Sequence, residues 1–506
     1  MRFHRRHLSL LLSLSSLSSK ISSWLFTSLF LPLTSLLFAY IYNPGHWWHI
    51  PATEEIISIT SSLSRVYVAV PDGILTFDRH RLCFINSFTP LDGIPERIKL
   101  CAYDQFSGSL LILADNRLTF FSPKTRAFTT FTLSFNPHSL GIGERNICFL
   151  TDKEKYVWER KKFRFKKIKT FPDTAILWYG RLSPNRPENY PYLAPYYIMD
   201  ADLGIYPIKI AFEEGKRLWL GVKNYGIIIY DLHTRHQIKE FRFGKGVREI
   251  KGILKRSDGL WLISHNLFTR IGGNFEDWDY FLIKPAKFFT EKNPLLSFKF
   301  LDLTSEGITA LSEDDHFLSF STPDKFYLYD KKTERVITEL NLPNIHRLFH
   351  HKGIIFILTP TGVFLYSISN NELTDLIDPK GDLRFGAYDI SLNNFGVVFA
   401  IRGGFLQLRS GTPGGEMAAN QWQKFLIPGM NLSCPVNNIA GFGDYLFLGT
   451  EKEGLIAFNQ KKDRYITLKE KEGLLSLNIR ALYADSSYLW IATDKGLSRC
   501  SYRELF

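Results

Sequence analysis

One phrase recurs along this chain of 506 residues. It reads Leu489-Trp-Ile-Ala-Thr-Asp-Lys-Gly-Leu near the C-terminus and Leu446-Phe-Leu-Gly-Thr-Glu-Lys-Glu-Gly-Leu before it. It reads Leu218-Trp-Leu-Gly-Val-Lys-Asn-Tyr-Gly-Ile in the middle and Val66-Tyr-Val-Ala-Val-Pro-Asp-Gly-Ile near the start. Self-similarity at a spacing of roughly 20–50 residues marks an array of like units. The apolar triplets that open the phrases begin at Val66, Leu110, Ile147, Leu218, Leu260, Phe317, Ile355, Val397, Leu446 and Leu489, mostly about 43 residues apart. That is the length of a four-stranded propeller blade.

Each unit carries its own local logic. The apolar-x-apolar run alternates with period two and predicts a strand. A small residue often follows (Ala69, Gly221, Gly449, Ala492), so that neighbouring sheets approach closely. A glycine turn comes next: Asp72-Gly73, Tyr225-Gly226, Glu453-Gly454, Lys495-Gly496. A second run ends in Phe77-Asp78, Tyr230-Asp231, Tyr329-Asp330 or Phe458-Asn459, before a polar turn and an outer strand. Another short strand lies upstream of each triplet. One four-stranded sheet cannot bury both of its faces, whereas radial stacking of sheets does, and ring closure hides the ends. The expectation is therefore an all-β fold, a β-propeller of about ten four-stranded blade-like repeats. Either the units form one large ring, or residues 206–506 form a seven-bladed ring and the units in 46–170 belong to a second, discontinuous ring.

These phrases resemble the two-component regulator propeller repeat, which builds the periplasmic sensor region of some bacterial hybrid histidine kinases. The resemblance covers about eight of the ten units. It implies a propeller followed by a kinase or other output domain. This sequence ends at Phe506, directly after its last unit, so kinase activity of its own is not expected.

Residues 1–42 read as a leader rather than as part of the fold. Arg2, Arg5 and Arg6 precede a Leu/Ser-rich stretch, and Ile21 to Tyr42 runs without a charge. That run is long enough to cross a hydrocarbon core of roughly 30 Å. The basic residues in front favour a cytoplasmic N-terminus and export of everything after residue 42. Two readings stand: an uncleaved membrane anchor, or a signal peptide cut near Ala39. The protein is then expected on the periplasmic side of the cell envelope, anchored to the inner membrane or secreted after cleavage. Trp47 and Trp48 read as an interfacial aromatic anchor. Of the net charge of +12, Arg2, Arg5, Arg6 and Lys20 account for +4. The remaining +8 suits an acidic partner such as an anionic glycan or lipid headgroup, and nucleic acid is not expected outside the cytoplasm.

No metal or catalytic signature emerges. Cys83, Cys101, Cys148, Cys434 and Cys500 show no metal-type spacing. They read as buried small hydrophobes, with Cys83–Cys101 the disulfide pair to test. There is no Gly-x-Ser-x-Gly elbow, no phosphate-binding loop and no His-Glu-x-x-His. His346, His350 and His351 fall on a strand and turn, where they point apart. No cofactor is expected. The basic stretch from Lys155 to Lys169 reads as a charged sheet edge or as a contact for an acidic surface.

The candidate ligand site is a Tyr/Pro-rich insertion, residues 171–205. It offers Tyr190, Tyr192, Tyr196 and Tyr197 beside Asp200 and Asp202. Long loops on rigid scaffolds commonly carry function, and Tyr supplies rigid amphipathic contact area. The alternative is a packing plug. The functional expectation is a binding or scaffold module recognising an envelope protein or glycan. The alternatives are a sensor subunit that works with a separately encoded two-component kinase, and an enzyme acting on polysaccharide.

Overall fold

The computed structural model describes residues 43, 45–173, 175–199, 204–242, 250–256, 258–264, 267–272, 278–282, 309–409, 421–427 and 435–506. The leader (1–42), Asp200, Asp202 and Cys434 lie outside the described residues. Within the described residues the chain forms ten antiparallel sheets, eight four-stranded and two five-stranded. The apolar phrases are their second and third strands, as in Leu489–Thr493 with Gly496–Cys500 and Arg217–Val222 with Gly226–Asp231.

The recurring polar residues brace these hairpins. Thr450, Thr493 and Thr359 each donate a hydroxyl hydrogen bond to the carbonyl of the turn glycine, Gly454, Gly496 and Gly362, at 2.8, 3.1 and 3.0 Å. The acid that ends the third strand closes the next turn. Asp78 Oδ1 accepts the His80 and Arg81 N–H groups at 2.9 and 2.8 Å, and Asp231 Oδ1 accepts those of His233 and Thr234 at the same distances. The small residues do bring sheets together. A Cβ on Gly449 would stand 2.6 Å from Ile479 Cγ2 of the following sheet, and one on Gly221 would stand 2.9 Å from Ile56 Cγ2.

The last unit holds only three of its own strands, Ile479–Ala484, Leu489–Thr493 and Gly496–Cys500. Its fourth comes from the start of the described fold. Trp47–Pro51 pairs antiparallel with Gly496–Cys500 in the register Trp47↔Cys500 to Pro51↔Gly496. Trp47 is therefore buried and stacks on His49, and Trp48 meets Trp490 and Phe84 edge-on at 6.3 and 6.0 Å. This corrects the reading of these two tryptophans as a membrane-interface anchor: their rings face protein. Cys101, Cys148 and Cys500 are buried free thiols, so the Cys83–Cys101 bridge is not formed.

Six innermost strands surround one cavity of about 280 Å³: Gly252–Arg256, Ala310–Glu313, Arg347–His351, Asp389–Asn393, Val436–Phe442 and Ile479–Ala484. The 205–241 sheet does not line the cavity: Phe212, Trp219, Ile227 and Ile229 share one core with Val66, Val68, Leu75 and Phe77 of the 58–88 sheet and with Ile253, Leu260, Trp490 and Leu497 of two cavity-lining sheets. Repeat counting groups seven units after residue 206. The structure instead places six of them around the cavity and the seventh against the N-terminal sheets.

Candidate functional site

The six inner strands carry polar groups, and those groups join each sheet to the next. Arg256 Nε lies 3.3 Å from Glu313 Oε1, and His350 Nδ1 lies 3.1 Å from Asp314 Oδ2. Arg347 Nε lies 2.7 Å from Asp389 Oδ1, and the Ile439 N–H donates to Asp389 Oδ2 at 2.9 Å. Asn438 donates to the Ile479 carbonyl at 3.1 Å, and Lys255 Nζ donates to Asp485 at 2.7 Å. Every boundary around the cavity is thus crossed by a polar bridge. Asp389 ties three sheets at once. Burial raises its pKa, against the lowering pull of Arg347 and of the Ile439 and Ile390 N–H groups.

His350 also approaches Ser319 Oγ at 2.7 Å through Nε2, which completes a Ser–His–Asp set. The set has the contacts of a nucleophilic triad without its access. Ser319 is fully buried, and its hydroxyl also lies within hydrogen-bond reach of the Ser312 carbonyl at 3.2 Å. Burial lowers the His350 pKa although Asp314 raises it. His346 turns to the Ala387 carbonyl at 2.9 Å, so the histidine cluster is divided among different partners.

The insertion is stitched into two sheets. Leu177–Gly180 pairs with Ser139–Ile142 as a fifth strand of one sheet, and Tyr197–Met199 pairs with Ile205–Pro207 as a fifth strand of the other. Between them stand two short 3-10 turns, Pro187–Asn189 and Pro191–Leu193, each opened by proline. The anchor that sequence reasoning missed is Tyr179. It is buried, its hydroxyl meets Thr60 Oγ1 at 2.9 Å, and burial pushes its pKa up to about 12. Its one sequence signal was the apolar alternation of Leu177-Trp-Tyr, short and set in a Pro-rich stretch.

The predicted tyrosines divide. Tyr190 packs with Leu193 and Ile198 on Tyr206, Leu218, Val222 and Tyr225, and its hydroxyl donates to Glu213 at 3.3 Å. Burial and then Glu213 raise its pKa to about 12. Tyr196 is half-buried, and its carbonyl accepts the Ile208 N–H at 2.9 Å. Tyr192 and Tyr197 are exposed, at 42% and 39%. Tyr192 meets Tyr190 edge-on at 6.1 Å and lies under the Arg235 guanidinium at 5.2 Å. Tyr197 shares a strand face with exposed Met199, whose register partner Ile205 is also exposed. The insertion is thus a packed plug on one side and an aromatic, apolar surface on the other.

Solved structures are similar to this chain to different degrees. PorZ, an essential bacterial surface component of the type-IX secretion system of Porphyromonas gingivalis, is similar over 90% of this chain and 87% of its own, with a TM-score of 0.50 and 12% identity. The extracellular domain of BT3049, described as a hybrid two component system of B. thetaiotaomicron, is similar over 92% of this chain and 70% of its own (TM-score 0.40, 14% identity). Virginiamycin B lyase from Staphylococcus aureus is similar over 57% of this chain and 93% of its own (TM-score 0.34, 14% identity). No protein-family model matches the sequence, and no curated protein matches it. What this chain shares with PorZ is the fold.

Proposed function

We propose that this chain is an exported β-propeller protein of the bacterial cell envelope that works as a binding and scaffold module, with six blades closed around the central cavity and four further sheets beside them. The observation that carries this reading is how the polar groups are used. The ionisable side chains around the cavity are paired across sheet boundaries, where they hold the scaffold, while the exposed face of the insertion presents Tyr192, Tyr197, Met199 and Ile205. Rigid aromatic area on an anchored loop suits a protein or glycan partner. The long-range likeness to a bacterial surface protein, PorZ, supports the envelope setting.

The repeated phrase favours a second reading, a sensor subunit that signals through a separately encoded kinase. One experiment serves both. The tagged full-length chain is crosslinked in cells and its partners identified by mass spectrometry, beside a variant carrying Tyr192→Ser and Tyr197→Ser. A reproducible envelope protein that the variant loses supports the insertion as the contact, and recovery of a membrane kinase selects the sensor reading. Equal recovery by a folded variant would place the contact elsewhere. Recovery of background alone would end the protein-partner reading and leave the glycan.

A further inference from the structure

The charge of this protein is not spread over its surface. Residues 43–506 carry +8, and residues 153–169 hold nine Lys and Arg against Glu154 and Glu159, a net +7. Residues 155–168, the hairpin formed by Lys155–Glu159 and Arg164–Ile168, carry +6 of this by themselves.

The two glutamates do not neutralise it. Glu159 is shared by Lys162 and Arg164 at 3.7 and 3.0 Å, and Glu154 takes Lys167. Lys153, Lys161, Lys166 and Lys169 are exposed and make no ion pair among the described residues. Arg160 turns the other way, onto buried Asp104 of the neighbouring sheet (2.9 Å from Nη2 to Oδ1) and the Gly143 carbonyl. That contact fixes the base of the tip. At the tip stands Phe163, 78% exposed, with a backbone φ of 51° in the left-handed region that a bulky residue rarely adopts. Arg164–Ile168 is an edge strand, and lysines along an edge oppose the addition of another strand.

We propose that this hairpin is a docking surface for a membrane rich in anionic phospholipid. Unpaired lysines gain from phosphate headgroups, and a projecting aromatic ring gains from the interface beneath them. A glycan is best met by a platform of several rings with hydroxyls beside them, as in the tyrosines of the insertion. A lone phenylalanine without a hydroxyl, at a turn ringed by lysines, suits insertion between headgroups, which is why a lipid surface fits this patch better.

The test uses the full chain and vesicles of phosphatidylcholine alone or mixed equally with phosphatidylglycerol. The apolar leader is common to all variants, so the readout is the preference for the anionic vesicles. We expect that preference to fall with added salt. In the variant Lys161→Glu, Lys166→Glu, Lys169→Glu it should drop about a hundredfold. Phe163→Ser should weaken binding to the anionic vesicles while leaving its salt dependence. Equal wild-type binding to both vesicle types would overturn the proposal, as would an undiminished preference in a triple variant with the wild-type melting curve. If charge reversal prevents folding, Lys→Gln at the same three positions gives the same readout. Binding of a sulfated polysaccharide without any preference for phosphatidylglycerol would also overturn it, in favour of a glycan.

Discussion

His49 Nδ1 lies 2.9 Å from Ser498 Oγ, a buried contact between residues 449 positions apart that latches the first strand of the fold onto the last. His49 is held neutral: burial first, and Arg126 second, lower its pKa to about 3. A histidine with a depressed folded-state pKa binds fewer protons folded than unfolded. Its contribution is fully present above the unfolded value near 6.5 and is lost as pH falls from there toward about 3, by roughly 1.4 kcal/mol per pH unit. Urea unfolding between pH 7 and pH 4 should show this loss, and His49→Gln should flatten it. An unchanged slope in His49→Gln would remove the latch as the cause.

Asp389 joins three sheets, so its loss should act on the whole ring. Asp389→Ala strands Arg347 and two backbone N–H groups, and should cost roughly 3 kcal/mol or more in urea unfolding. Asp389→Asn keeps an acceptor and should cost less. Equal costs for the two variants would mean that the bridge works through charge alone.

Gly449 sits where two neighbouring sheets meet closely, and a Cβ there would stand 2.6 Å from Ile479 Cγ2. Gly449→Val drives a side chain into Ile479 and should destabilise by about 1–3 kcal/mol. Pairing it with Ile479→Ala should recover part of that loss, and a double-mutant cycle reads the coupling. Strictly additive costs would show that the two residues do not meet.

The two sides of the insertion should separate under mutation. Tyr190→Ala removes packing from an apolar cluster and should cost about 2 kcal/mol or more. Tyr192→Ala, at an exposed position, should stay within about 1 kcal/mol of wild type. Similar costs for both would mean that the insertion has no solvent-facing side.

Cys101, Cys148 and Cys500 should resist thiol reagents in the native protein and react on unfolding. All three are buried, and burial pushes their thiols up, that of Cys148 to about 12. Peptide mapping after a timed alkylation checks each one. Rapid native labelling of Cys500 would indicate that the strand Trp47–Pro51 opens in solution.

What the sequence determined by itself is the unit. Alternation in Leu489–Thr493, the turn at Gly496, the small Gly449 and Ala492, and the turn-closing Asp78 and Asp231 act over a few residues, so they are visible in any window of the chain. The tertiary structure alone decided how the units are joined. The register Trp47↔Cys500, the bridge from Lys255 to Asp485 and the packing of Trp219 against Phe77 link positions far apart, and no local pattern encodes which sheet lies next to which. The tyrosines of the insertion show the same division. Their composition announced a contact surface, but whether a ring faces solvent or core depends on the sheet it lands on, so Tyr190 turned inward and Tyr192 outward. Strand identity follows from local alternation and turn chemistry, whereas burial follows from long-range packing that the chain acquires only once the sheets have met.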